Sequence, residues 1–80
     1  MSNPQENTPQ PNGDILIQIA REEMPYGKYK GTLIYRLPMF YLEWHKRNGF
    51  PKGKIGVALE TLYEIKLNGL EGLLKPLIRK

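Results

Sequence analysis

The chain has 80 residues, of which 12 are Lys or Arg and 8 are Asp or Glu, so its formal net charge is +4. It contains no cysteine and a single histidine, which excludes a disulfide framework and a Cys/His zinc cluster. The N terminus has no signal-peptide pattern, and no run approaches the roughly 20 apolar residues of a membrane span. We therefore expect a small cytoplasmic protein.

Residues 1–13 predict a disordered tail. Three prolines and one glycine lie among mostly polar residues, and Met1 is the only apolar side chain there. Such a segment cannot bury enough apolar surface to offset the entropy lost on ordering. We assign the remaining residues, 14–80, to a single α+β domain built from a short β-hairpin and three to four short helices.

The first predicted element follows Asp14, a favoured helix N-cap. An apolar run rich in isoleucine comes next and indicates a short helix that ends near Glu23. The β-branched isoleucines also allow a strand at this place. Pro25 ends either element, because the residue before a proline is pushed out of the helical region.

Residues 24–37 predict a short β-hairpin or extended turn, because Tyr, Thr, Leu and Ile alternate with glycines at positions 27 and 31. In an extended segment, Tyr26, Lys28 and Lys30 share one face, while Tyr29 lies on the other. The pattern therefore predicts two lysines displayed together between two glycines.

Pro38 is expected to be the first residue of a second helix. Proline lacks an N–H, and an N–H at that position would have no partner within the helix. This helix runs to about Asn48. Gly49 then suits the left-handed position that ends a helix, and Phe50 folds back as the accompanying apolar contact. One face of the helix carries four residues spaced i, i+3, i+4 and i+7: Tyr41, Trp44, His45 and Asn48.

An apolar stripe predicts a third helix, which Asn68 and Gly69 end in the same way. The residues after it, 70–80, form a final helical or irregular piece whose leucines pack onto the body and whose length Pro76 limits. The stripe of the third helix consists of Ile55, Ala58, Leu59, Leu62 and Ile65.

Two glycine-lysine segments do not match a nucleotide-binding loop. Residues 49–54 are one residue short of the GxxxxGK pattern, and Ile55 cannot supply the hydroxyl that binds magnesium. Residues 27–32 lack both the spacing and the preceding strand. A single phosphate held at the N terminus of the third helix, beside Lys52 and Lys54, remains an alternative to a plain turn and helix start.

No catalytic residues are predicted. Metal-dependent and acid–base chemistry need carboxylates that converge, whereas the one aspartate, Asp14, adjoins the predicted tail and the glutamates lie mostly on helix faces. His45 has no recognisable triad partner, so we expect it to be packed or interfacial. We therefore expect no enzyme activity, cofactor or metal; an enzyme would need a partner to complete its site.

Positive charge is concentrated between Arg21 and Lys54, where eight Lys or Arg accompany three acids and the window carries +5. Such a field favours polyanions such as nucleic acid or an acidic protein surface, although solubility alone also accounts for it. Exposed aromatic side chains beside cations stack on single-stranded bases, whereas a lone tryptophan often belongs to the core. The candidate nucleic-acid-binding residues are Lys28, Tyr29, Lys30, Trp44, Lys46, Arg47, Lys52 and Lys54.

Five sequence blocks within residues 24–77 carry a family resemblance. They are Met24-Pro25-Tyr26-Gly27-Lys28-Tyr29-Lys30-Gly31, Leu37-Pro38, Tyr41-Leu42-x-Trp44, Gly49-Phe50-Pro51-Lys52-Gly53 and Tyr63-Glu64-Ile65-Lys66-x-Asn68-Gly69-Leu70. In this order and spacing the blocks resemble a family of short bacterial proteins, the quorum-sensing-regulated virulence factors. The resemblance implies a family but no defined activity.

A partial resemblance covers residues 24–48. The Gly-Lys-x-Lys-Gly block followed by Tyr-Leu-x-Trp is similar to the small C-terminal appendage of some bacterial 3′–5′ exonucleases. It implies a module that accompanies nucleic-acid enzymes. The acidic metal ligands of those exonucleases have no counterparts here, so their activity is not implied.

Two functions follow as hypotheses. The first is a non-catalytic accessory module that binds DNA or RNA through its phosphate backbone. The alternative is a protein adaptor or a small homo-oligomeric domain without nucleic-acid binding, in which leucines between positions 70 and 77 bury an apolar patch against a partner or a second copy. No membrane partner is expected.

Overall fold

Three α-helices and three short 3₁₀ turns form the regular structure of the computed structural model, which describes residues 13–79. The predicted tail before Gly13 lies outside the described residues, and Gly13 itself begins the first helix. The helices are α1 (Gly13–Arg21), α2 (Met39–Asn48) and α3 (Lys54–Leu67). The 3₁₀ turns lie at Ile34–Arg36, Glu71–Leu73 and Lys75–Leu77.

The isoleucine-rich α1 is a helix and not a strand. Asp14 lies within its first turn, not before it as an N-cap, and Arg21 lies in its last turn. Both charges are favourable there, because an acid near the N terminus and a base near the C terminus oppose the helix dipole. Ile19 and Ala20 are buried while Ile17 is exposed, so the helix turns one side to the core.

Helix α2 has the ends that its sequence predicts, shifted by one residue at the start. Pro38 precedes the helix as its N-cap, with φ −72° and ψ 152°, and Met39 is the first helical residue. Gly49 ends the helix with a φ of 99°, and its N–H donates to the carbonyl oxygen of His45 at 2.7 Å. The Pro and Gly boundaries of α2 are therefore confirmed to within a residue.

Helix α3 is the central element, because it packs against both α1 and α2. Its C terminus is closed by Gly69, whose φ is 66°, and by the N–H of Leu70, which donates to the carbonyl oxygen of Ile65 at 2.8 Å. This is the Schellman arrangement that an Asn-Gly-Leu ending favours. The core around α3 consists of Ile19, Met24, Ile34, Leu37, Leu42, Ala58, Leu59, Leu62, Ile65 and Leu74.

The predicted β-hairpin within residues 24–37 is wrong, and the α+β class with it. The described part of the chain contains no strand and only an isolated antiparallel bridge between Glu23 and Leu33. Gly27 and Gly31 have positive φ values of 84° and 87°, which bend the chain into successive turns. A β-hairpin needs extended backbone on both strands beyond the first bridge. The turns at Gly27 and Gly31 interrupt that extended backbone, so no hairpin forms. The described domain is mostly α-helical.

The segment after α3 covers the core only in part. Leu74 is buried, whereas Leu70 and Leu73 were expected to pack on the body and are instead about half exposed. Arg21 Nε donates to the carbonyl oxygen of Leu77 at 2.8 Å, which ties this segment to the end of α1. Among the C-terminal leucines, Leu74 is therefore buried in the core, whereas Leu70 and Leu73 are exposed.

Candidate nucleic-acid interface

One face of α2 points large side chains into solvent. Phe40 is 62% exposed and Trp44 is 51% exposed. Together with Arg47 they are spaced i, i+4 and i+7, so they share this face of the helix. The opposite side of α2 buries Leu42 and His45 against the core. The lone tryptophan is therefore a surface residue and not part of the core.

The loop between α1 and α2 is held in a defined shape next to this face. Met24 is buried, its N–H donates to the carbonyl oxygen of Thr32 at 2.8 Å, and its own carbonyl accepts from Gly31 N–H at 2.9 Å. Within the loop that these two hydrogen bonds close, the Lys30 N–H donates to the carbonyl oxygen of Gly27 at 3.1 Å. Lys28 and Lys30 are therefore exposed on turns, not on the extended face that their alternation predicts.

Tyr29 joins this loop to α2. Its ring packs on the ring of Tyr41 with centroids 4.6 Å apart and an interplanar angle of 59°, and the Lys28 ammonium lies 5.7 Å from the Tyr29 centroid. Burial raises the pKa of the Tyr41 phenol, and the neighbouring Tyr26 and Tyr29 raise it further. Tyr29 is half-buried in this packing and supports Tyr41 instead of standing free.

Between the loop and α2 lies an open groove of about 400 Å³. Its surface is mainly apolar, and two cations border it, Lys28 from the loop and Arg47 from α2. Among residues 13–79, neither Lys28 nor Arg47 is paired with a carboxylate. We call this feature the basic-aromatic groove, and it is lined by Lys28, Phe40, Tyr41, Trp44 and Arg47.

His45 lies beneath the groove as part of a ring cluster. It is only 8% exposed, contacts Tyr41 and Trp44 edge-on at centroid distances of 4.7 and 5.1 Å, and stacks with Phe50 at 6.0 Å and 17°. Within the described residues, neither of its ring nitrogens has a hydrogen-bond partner. The sequence-based expectation that His45 is packed agrees with this position, and Phe50 folds back as its contact.

The other predicted cations lie outside the groove. The Lys46 ammonium lies 5.8 Å from the Tyr63 ring centroid, toward α3. Lys54 borders a separate groove beside α1, together with Asp14 and Glu22. Lys30 and Lys52 are exposed and do not line the basic-aromatic groove. The fold thus brings together only part of the predicted set, namely Lys28, Trp44 and Arg47, with Tyr29 behind them.

Gly53 has a simple structural role at the start of α3. It is the N-cap residue and has a φ of 85°, a conformation that favours glycine. Lys52 and Lys54 on either side of it are exposed. A turn and helix start accounts for this segment without a bound phosphate.

Sequence reasoning missed Phe40, the most exposed of the large apolar side chains described. A usable signal was present, since Phe40, Trp44 and Arg47 follow helical spacing. The stripe predicted for α2 was instead Tyr41, Trp44, His45 and Asn48, of which only His45 is buried. A helix has two stripes of such spacing, and only packing reveals which one is exposed.

Neither a membrane-spanning helix nor a cluster of metal ligands is found in residues 13–79. No helix there is long and apolar enough to cross a membrane. No group of three or more His, Cys, Asp or Glu side chains in that range is placed to hold a metal ion.

These features define a small helical domain with an exposed, cation-bordered aromatic groove. The chain belongs to the family described as "Putative quorum-sensing-regulated virulence factor", whose sequence model matches residues 12–77. The family resemblance is thereby confirmed.

Two curated relatives carry the name "Uncharacterized protein YpeB", one from Escherichia coli strain K12 and one from E. coli O157:H7. Each is 46% identical over 65 residues, which cover 80% of this chain and 90% of the relative. No solved structure matches the chain. Neither relative is named as an exonuclease, so the partial resemblance to an exonuclease appendage stays a prediction.

Proposed function

We propose that this domain is a non-catalytic accessory module of the bacterial cytoplasm that binds nucleic acid through the basic-aromatic groove. The observation that carries the proposal is the exposure of Phe40 and Trp44 between Lys28 and Arg47. Large aromatic side chains ordinarily lie in the core of so small a domain, where each contributes substantial burial. Two of them in solvent, bordered by cations, favour a ligand that is both aromatic and anionic.

Nucleic acid combines these two properties. Its phosphates attract Lys and Arg, and its bases offer flat rings to aromatic side chains. The concentration of charge between Arg21 and Lys54 adds a long-range attraction toward such a polyanion. An acidic protein surface without exposed apolar side chains would satisfy the cations but would leave the aromatic pair without a matching group.

Binding to labelled DNA and RNA oligonucleotides, followed by fluorescence anisotropy at increasing salt, tests the proposal. With about four phosphates neutralised, the logarithm of the affinity for single strands falls with the logarithm of salt at a slope of roughly −3. Lys28→Ala combined with Arg47→Ala removes two phosphate contacts, so it weakens binding and reduces this slope in magnitude by about 1.4.

The matched control combines Lys75→Ala with Arg79→Ala. Both side chains are exposed, neither lines the groove and both lie outside the basic window of residues 21–54, so the control removes the same charge from elsewhere. We expect it to keep most of the affinity that the groove variant loses. Equal losses in the two variants, or no binding to any oligonucleotide at low salt, would contradict the proposal.

A second candidate, self-association, is favoured by a separate apolar groove of about 310 Å³. Leu70 and Leu73 are about half exposed there, beside Glu60 and Glu64. These two acids complement the cations of the basic-aromatic groove in charge. The partner that would bind to the leucines and glutamates is therefore the basic-aromatic groove of a second copy.

Sedimentation over a range of protein concentrations tests this alternative. Self-association that depends on concentration and is lost on Glu60→Lys combined with Glu64→Lys supports it. A monomer at every concentration contradicts it. The groove beside Leu70 and Leu73 shares no residue with the basic-aromatic groove. The charge reversal therefore leaves the basic-aromatic groove intact.

A further inference from the structure

Phe40 and Trp44 lie one helical turn apart on α2. Residues at i and i+4 have Cβ atoms about 5–6 Å apart, and their side chains point to the same side of the helix. Among residues 13–79, Phe40 makes no ring contact at all, and the only ring that Trp44 contacts is that of the buried His45, edge-on. Both rings therefore keep a broad surface available to a ligand.

The spacing of these two rings does not suit a stacked duplex. Bases in a duplex rise by about 3.4 Å per step, and their faces are covered by the bases above and below. Phe40 and Trp44, four residues apart on α2, are separated by about 6 Å along the helix axis. A strand can match that separation only if neighbouring bases come apart, which an unpaired strand does readily.

We infer that the basic-aromatic groove is a binding site for single-stranded nucleic acid, with two neighbouring bases placed on Phe40 and Trp44. This inference rests on the proposed function and narrows it to one class of ligand. Lys28 and Arg47, which line the groove, contact phosphates of the sugar-phosphate backbone. Tyr29 takes no base, because its ring is half-buried against Tyr41.

Three probes of equal length separate base contacts from phosphate contacts. They are oligothymidylate, an abasic deoxyribose-phosphate strand of the same charge, and a duplex that contains the same thymidine strand. Stacking on one aromatic ring is worth about tenfold or more in affinity. We expect oligothymidylate to bind at least about tenfold more tightly than the abasic strand, and more tightly than the duplex.

Trp44 reports on the complex directly, since it is the only tryptophan of the chain. We expect oligothymidylate to quench its fluorescence strongly and the abasic strand to quench it little. Phe40→Leu and Trp44→Leu keep an apolar side chain on the exposed face, so the fold is retained. Each lowers the affinity for oligothymidylate by about tenfold and leaves the affinity for the abasic strand unchanged.

Tyr26→Leu is the matched control, because Tyr26 is an aromatic side chain that is 48% exposed and does not line the groove. We expect it to bind all three probes as the unmodified protein does. Equal affinity for the thymidine and abasic strands, or for the single strand and the duplex, would overturn the single-strand inference but leave phosphate binding standing. Failure of every probe at low salt would overturn both.

Discussion

Gly56 shows how a single residue sets the junction between α2 and α3. It is buried in the first turn of α3, and a Cβ built there would overlap the carbonyl oxygen of Pro51 and lie 2.7 Å from its carbonyl carbon. The obstacle is backbone, which cannot rotate away as the end of a side chain can. The helix therefore approaches the preceding loop at a distance that only glycine permits.

Gly56→Ala should consequently destabilise the domain by about 1–3 kcal/mol, the usual cost of forcing extra volume into a packed site. Chemical denaturation of the purified protein measures this loss. Gly72→Ala is the control, because a Cβ at this exposed glycine meets no atom within 4 Å. An equal stability for the two variants would mean that α3 can shift away from Pro51 without cost.

A second prediction at this scale concerns Tyr41, whose pKa is raised from 10.0 mainly by burial. The folded state then holds the phenolic proton to a higher pH than the unfolded chain does. The stabilising contribution is fully present below the unfolded pKa of 10.0 and is lost as the pH rises through the folded pKa.

Tyr41→Phe removes this contribution to the pH dependence. We expect the free energy of unfolding of the wild type to fall more steeply above about pH 10 than that of the variant, with parallel behaviour near neutrality. Denaturant titrations across this range provide the measurement. An unchanged alkaline slope in the variant would show that another group controls it.

At the scale of elements, α1 illustrates how packing resolves an ambiguous pattern. Its run of isoleucines fits either a strand or a helix, and local preference alone differs little between them. As a helix it buries Ile19 against the core and leaves Ile17 in solvent. The favourable docking of this one side onto α3 decides the outcome.

This docking predicts unequal effects for two similar substitutions. Ile19→Ala should cost about 2–5 kcal/mol, because Ile19 is fully buried and its loss leaves a cavity. Ile17→Ala, on the same helix, should cost less than about 1 kcal/mol, since the side chain is 41% exposed. Thermal or denaturant unfolding compares them. Similar costs would contradict the helical orientation of α1.

The loop between α1 and α2 is the element for which sequence reasoning failed. Two glycines spaced four residues apart between apolar residues are also typical of a hairpin, and the bridge between Glu23 and Leu33 is the one part of that pattern that forms. The burial of Met24 and Ile34 draws both ends of the loop to the core, where turns close it early. Tertiary burial therefore outweighed the local preference for a hairpin, and a local sequence pattern carries no information about tertiary burial.

At the scale of the whole molecule, the buried core of residues 13–79 runs from Ile19 in α1 to Leu74. The family match begins at residue 12. Because Met1 is their only apolar side chain, we expect the deletion of residues 1–12 to change the free energy of unfolding by less than about 0.5 kcal/mol. Deleting residues 1–21, which also removes α1 and its buried Ile19, should abolish cooperative unfolding. Calorimetry of both truncated chains checks this, and a large loss from the shorter deletion would contradict it.

The sequence by itself determined the positions of α2 and α3, their Pro and Gly boundaries, the apolar stripe of α3 and the family. These features depend on local backbone preference and on the periodicity of apolar residues, which the order of amino acids expresses directly. Only the tertiary structure decided that residues 24–37 form turns, that Trp44 and Phe40 face solvent, and that Lys28 and Arg47 line the same groove. Those outcomes depend on which surfaces of distant elements are buried together, and that competition is settled by the packing of the whole chain.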